Sequence, residues 1–122
     1  MGKKLLVVDD DPVIIDMLKS GLTRNGYNVR CAADGEDALT LVHKEVPDLI
    51  VLDIMMPQMD GTEVARRLKE DPKTRHIPIV FLTVLWEKND RVLDSARLGA
   101  SIVIGKPFKF EELLEKIKQL LE

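Results

Sequence analysis

One cysteine, Cys31, stands in 122 residues, so no disulfide can form within the chain. That fits a reducing compartment and leaves stability to buried apolar surface rather than cross-links. No apolar run approaches the roughly 20 residues a membrane span needs, and the first residues lack the apolar segment of a secretory signal. Gly2 follows the initial Met1, but a myristoylation signal wants Ser or Thr where Leu6 stands. A strong charge bias is also missing. The 18 basic and 21 acidic side chains leave a net charge of −3 with both signs interspersed, which argues against nucleic-acid binding by bulk electrostatics. Neither G-x-G-x-x-G nor G-x-x-x-x-G-K-[ST] occurs, so the glycine-rich cradles of nucleotide binders are absent. These absences predict a small soluble cytoplasmic domain with no membrane or direct nucleic-acid partner.

What is present is ordinary globular material, 45% hydrophobic and 32% charged, too apolar for a disordered segment. The length predicts one domain over residues 1–122, without repeat, linker or room for a second domain. Short apolar runs, LLVV (5–8), LIVL (49–52), IVFL (79–82) and IVI (102–104), are rich in β-branched residues. They lack the alternation of a half-exposed strand, which predicts strands covered on both faces, as in a parallel sheet. NVRCA (28–32), after the turn pair Asn25-Gly26, reads as a weaker strand.

Helical stripes lie between the runs. One face carries Ile14, Met17, Leu18 and Leu22, another Leu39, Val42 and Val46, and a shorter one Val64 and Leu68. Val92, Leu93 and Ala96 make a fourth stripe, and Leu113, Leu114, Ile117, Leu120 and Leu121 a fifth. Asp11 before Pro12 reads as an N-cap with proline at the first helical position, and Asp34 before Gly35 as a second cap. Gly26, Pro47 and Gly99 punctuate helix ends. The order is βαβαβαβαβα: an α/β doubly wound fold, five parallel strands with five helices on both faces.

In such a sheet, ligands bind beyond the carboxyl ends of the strands. Past LLVV stand Asp9, Asp10 and Asp11; past LIVL, Asp53; past IVFL, Thr83; past IVI and Gly105, Lys106. Singly, each has a plain structural explanation: Asp11 caps a helix, a strand-end threonine is usually structural, and a lysine before proline is usually a solvated loop charge. Together they deliver carboxylates, a hydroxyl and an ammonium to one sheet edge. Two like charges about 4 Å apart repel by roughly 4 kcal/mol at an effective dielectric near 20. Asp9, Asp10 and Asp53 are therefore costly together unless neutralised. Carboxylates without histidine or cysteine suit a hard cation, and Mg²⁺ suits best, because it takes one or two carboxylates and shares phosphate oxygens. Lys106 supplies a compact positive charge. This set is equipped to hold a transferred phosphoryl group, with Asp53 the natural nucleophile.

At these residues the chain resembles the receiver domain of bacterial two-component response regulators. The matching pieces are VVDDDP (7–12), LDIMMPQMDG (52–61), FLT (81–83), LGA (98–100) and KPF (106–108). The resemblance implies strand order 2-1-3-4-5. It implies that Asp53 accepts a phosphoryl group from a sensor histidine kinase or phosphotransfer protein. Asp9, Asp10, Asp53 and the backbone carbonyl of Met55 would hold Mg²⁺. Thr83 would swing toward the phosphoryl oxygens, Lys106 would pair with them, and the Lys106–Pro107 bond would be cis. Signalling would pass through the face of the fourth helix, fifth strand and fifth helix to a downstream protein. The expected state is a monomer, with dimerisation on phosphorylation left open, acting only on its own phosphorylation and dephosphorylation. The competing readings are a pseudo-receiver that is never phosphorylated and a Mg²⁺-dependent phosphatase with an aspartate nucleophile. The phosphatase would want a second aspartate where Met55 stands.

Three features depart from the common pattern. Val103 replaces the aromatic residue whose rotation usually reports phosphorylation. Val84 is β-branched where a small residue is usual, and should crowd the pocket mouth. Met55 and Leu85 are apolar where polar side chains can position a hydrolytic water, which predicts a slowly decaying acyl phosphate. Trp86, after the fourth strand, reads as partly buried against the fourth helix, or else as a substitute for the missing aromatic. His43 and His76 read as a helix-surface and a loop residue without metal-ligand neighbours.

Overall fold

The computed structural model describes residues 2–84 and 102–122, with Val84 in backbone only. The first strand, β1 (Lys4–Val8), is followed by α1 (Pro12–Arg24), β2 (Asn28–Ala32), α2 (Gly35–Lys44) and β3 (Leu49–Asp53). Then come α3 (Gly61–Glu70), β4 (Ile79–Val84), β5 (Ile102–Lys106) and a helix over Phe110–Leu121, here α4. All strand pairs are parallel and the sheet order is β2-β1-β3-β4-β5, the order implied by the resemblance. Four of the five expected helices are described. The remaining stripe of Val92, Leu93 and Ala96 lies outside the described residues, as do Leu85, Trp86, Gly99, the LGA piece and the Val84 side chain.

The unbroken apolar runs have the anticipated cause. Successive strand residues point to opposite sheet faces, and both faces are covered. Leu6, Val8, Ile50, Leu52, Ile79 and Phe81 pack with Ala38, Val42, Val64 and Leu68 of α2 and α3. Leu5, Val7, Leu49, Val51, Val80 and Leu82 pack with Leu18, Leu22, Leu113 and Ile117 of α1 and α4. Two expected stripe members belong elsewhere. Val46 lies beyond the end of α2 and is exposed, because Glu45 already has extended backbone. Met17 is also exposed, since it lines an open cleft with Ile14, Pro107 and Phe108 instead of entering the core.

Side chains start three of the helices. Asp11 accepts from the amide of Val13, Asp34 from Asp37 and Asp60 from Glu63, each satisfying an amide the first turn leaves unbonded. The first two match the sequence reading; the third was unforeseen. Gly26 takes φ +92° in the turn before β2, a region open to glycine at little cost. The Lys106–Pro107 peptide is cis, as the resemblance implied. Among the described residues, no helix is long and apolar enough to cross a membrane.

Candidate functional site

The strands finish at one sheet edge, and their terminal residues converge. Asp9 follows β1 and is 1% exposed. Its Oδ1 accepts the amide of Asp11 at 2.9 Å and its Oδ2 accepts from Lys106 Nζ at 2.9 Å. Asp53 ends β3 at 3% exposure. Its Oδ1 accepts the amide of Met55 at 3.3 Å and lies 3.4 Å from Lys106 Nζ. Asp10 is exposed, and one carboxylate oxygen from each of Asp9, Asp10 and Asp53 lies within 4.8 Å of the others. Thr83 is buried near the end of β4, beside Leu82, which is the register partner of Asp53, and it pairs with Gly105 of β5. The conjunction read from sequence is thus a spatial one for Asp9, Asp10, Asp53 and Lys106, with Thr83 on the adjoining strand end.

Among the described residues three carboxylates face one ammonium, and the imbalance shows in the titration of the buried acid. Desolvation pushes the Asp53 carboxyl up to about 6. The charge of Asp9 adds to this, while Lys106 and the Met55 amide pull it partly back. At Lys106, burial works against the ammonium, but the hydrogen bond to Asp9 and the charges of Asp53 and Asp9 outweigh it. The net result is a lysine held above its ordinary value. Among the described residues the cluster is short of positive charge and offers oxygen donors, which fits a small divalent cation.

Two supports of the site had not been singled out. The Asp11 amide fixes Asp9, so one residue both caps α1 and orients a site carboxylate. Gly61 is the other: a Cβ there would run into the Asp53 carbonyl, while the Gly61 amide donates to Ile54 O at 2.9 Å. The close approach lets α3 start directly under the end of β3. The visible signal for this was Asp60-Gly61 followed by Glu63, an N-cap pattern.

A family model for the response regulator receiver domain matches residues 5–118. This chain belongs to the response regulator receiver domains. A putative response regulator from Chloroflexus aurantiacus is 35% identical, with a TM-score of 0.92 over 99% of this chain and 98% of that one. The Vibrio cholerae chemotaxis protein CheY4 is 32% identical, with a TM-score of 0.91 over 99% of this chain and 100% of that one. The Thermotoga maritima response regulator TrrA, solved in complex with Mg²⁺ and BeF, is 39% identical. Its TM-score is 0.84 over 98% of this chain and 99% of that one. Receiver domains are signalling modules of two-component systems rather than conventional enzymes, and they interact with histidine kinases and phosphotransfer proteins.

The remaining sequence expectations fall on the receiver domain's periphery. Val103 is half-buried in β5 against the α2–α3 side of the core. His43 is exposed on α2, its Nδ1 2.7 Å from Leu39 O and its Nε2 3.3 Å from Asp71 Oδ2. His76 is exposed in the turn before β4. Cys31 is free and half-buried, and burial pushes its thiol up.

Proposed function

We propose that this receiver domain, over residues 1–122, is a phosphorylation-controlled switch with Asp53 as its phosphoryl acceptor. One observation carries the reading: a buried strand-end carboxylate lies 3.4 Å from an ammonium and shares a cluster with Asp9 and Asp10. In the transfer, an Asp53 oxygen attacks the phosphorus of a phosphohistidine on a sensor kinase or phosphotransfer protein. The O–P bond forms as the N–P bond breaks, and the imidazole leaves with the electron pair. Asp9, Asp10, Asp53 and the Met55 carbonyl would hold Mg²⁺. Bound there, the ion neutralises charge on the acids and on the phosphoryl oxygens.

The chain's own groups do the rest. Lys106 is within reach of Asp53 and carries a fixed positive charge to the phosphoryl oxygens. The Met55 amide holds one Asp53 oxygen, leaving the other for attack. Thr83, at the end of the neighbouring strand, supplies a hydroxyl to the charged product. The output face would comprise the fourth predicted helix, within 85–101, together with β5 and α4, and would dock a downstream protein. No observation favours an unphosphorylated interaction module, and the second aspartate of a phosphatase is replaced by Met55.

Intact-mass spectrometry after incubation with a small phosphodonor and Mg²⁺ tests the proposal. The parent should gain one phosphoryl group and Asp53→Asn none. A parent that stays unmodified, or an equal gain in the variant, overturns it.

A further inference from the structure

The imidazole of His43 stands between two groups that can only accept. It lies in the last turn of α2, its Nδ1 2.7 Å from the Leu39 carbonyl and its Nε2 3.3 Å from Asp71 Oδ2. A neutral ring carries one N–H and cannot donate to both; the imidazolium can. The hydrogen bond to Leu39, and after it the one to Asp71, hold the ring above its ordinary value. Among the described residues, Lys73 on the turn after α3 is the charge that opposes them. The cation also meets the carboxyl end of α2, where positive charge is favoured.

Asp71 is the pivot of the turn that joins α3 to β4. Its amide donates to Leu68 O at the end of α3, its Oδ1 accepts the amide of Lys73 at 2.9 Å, and its carbonyl accepts from Thr74 and Arg75. Its carboxyl is held low, first by the Lys73 amide and then by His43. The contact with His43 spans 28 residues and joins α2 to this turn. Crossover helices run back along a parallel sheet, so both helix ends lie at its amino edge, opposite Asp53.

We propose that His43 is a proton-operated clasp, closed as the imidazolium, that ties the end of α2 to the α3–β4 turn. Loss of the proton leaves a single N–H. The shorter, local bond to Leu39 keeps it, and the bare Nε2 lone pair then faces a carboxylate and releases it. A folded value above the ordinary 6.5 fixes the sign. The clasp's contribution is complete below that pH and is lost as pH rises through the folded value. The α2–α3 layer thereby senses pH near neutrality, and neither the acidic pocket nor phosphoryl transfer enters into it.

Proton NMR of the metal-free protein, titrated from about pH 5 to 9, tests this. At 57% exposure the ring is screened by salt, so the titration is run at low ionic strength. The His43 ring should titrate above 6.5, and the amide resonances of Lys73, Thr74 and Arg75 should shift with the same midpoint. Asp71→Asn should lower the His43 midpoint, while Glu70→Gln, which removes the neighbouring carboxylate, should leave it near the parent. In His43→Gln the three amides should hold steady through that range; His43→Asn is the second ring-free variant, should the glutamine disturb the turn. A His43 midpoint at or below 6.5 overturns the proposal, as does one unmoved by Asp71→Asn or lowered equally by Glu70→Gln. Turn amides that still titrate in the ring-free variants overturn it too.

Discussion

Asp53 is the residue at which the physical chemistry is sharpest, and its effect on stability has a definite sign. Its carboxyl is held near 6 in the fold, against 3.8 as a free side chain, chiefly by desolvation. Below about pH 4 both folded and unfolded chains hold the proton and no penalty arises. Between there and about pH 6 the unfolded chain loses it first, so stability falls as pH rises, in total by on the order of 3 kcal/mol. Chemical denaturation of the metal-free protein from pH 4 to 7 should show this decline, and Asp53→Asn should lack it. Adding Mg²⁺ at pH 7 should restore stability to the parent more than to the variant. On the proposed reading, Met55 is expected to prolong the life of the acyl phosphate. It is 65% exposed beside Asp53 and its thioether cannot orient an attacking water. Met55→Asn should shorten the acyl-phosphate half-life several-fold, followed by mass after removal of phosphodonor; a parent half-life of only seconds would contradict the assignment. At Gly61 the backbones approach too closely for a side chain, so Gly61→Ala should cost about 2–3 kcal/mol of overpacking and weaken phosphoryl acceptance by displacing Asp53. These residues differed in legibility. The charged strand ends could be read because consecutive apolar runs announce where each strand stops. At Gly61 the Asp60-Gly61 pair and Glu63 mark a helix start, but not how near β3 comes to α3.

The helices differ in how they begin, and the difference is measurable. α1, α2 and α3 each have an aspartate accepting from the first turn, whereas Lys109 before α4 makes no side-chain cap bond and places a positive charge at a positive helix end. Asp34→Ala should therefore cost about 1 kcal/mol, while Lys109→Asp should add stability of similar size, both read from urea denaturation. Caps were read at Asp11 and Asp34, where proline or glycine follows directly, and Asp60-Gly61 carries the same signal. The helical stripes were read too generously at Met17 and Val46: a period marks a face, but not where the chain leaves the helix or where a cleft keeps the face wet. β2 was found despite only part of it being buried, because the Asn25-Gly26 turn fixes its start.

The sheet divides the interior into two packed layers that share strands but not side-chain partners. Ile77 lies in one and Ile117 in the other. Ile77→Val and Ile117→Val should each cost about 1 kcal/mol, and the double variant should equal their sum within about 0.5 kcal/mol; a larger departure would mean that the sheet transmits strain between its faces. The parallel, doubly covered character was visible in the unbroken apolar runs. Strand order was not, since order is decided by which long-range pairs bury most surface, and it entered only through the family likeness. The pocket shares that dependence. Asp9 and Lys106 stand 97 residues apart in the chain, so their union waits until most of this domain has been synthesised. At roughly 5–20 residues per second on the ribosome, the nascent acids wait several seconds or more for their native ammonium, and in that interval only water and dissolved ions keep them apart.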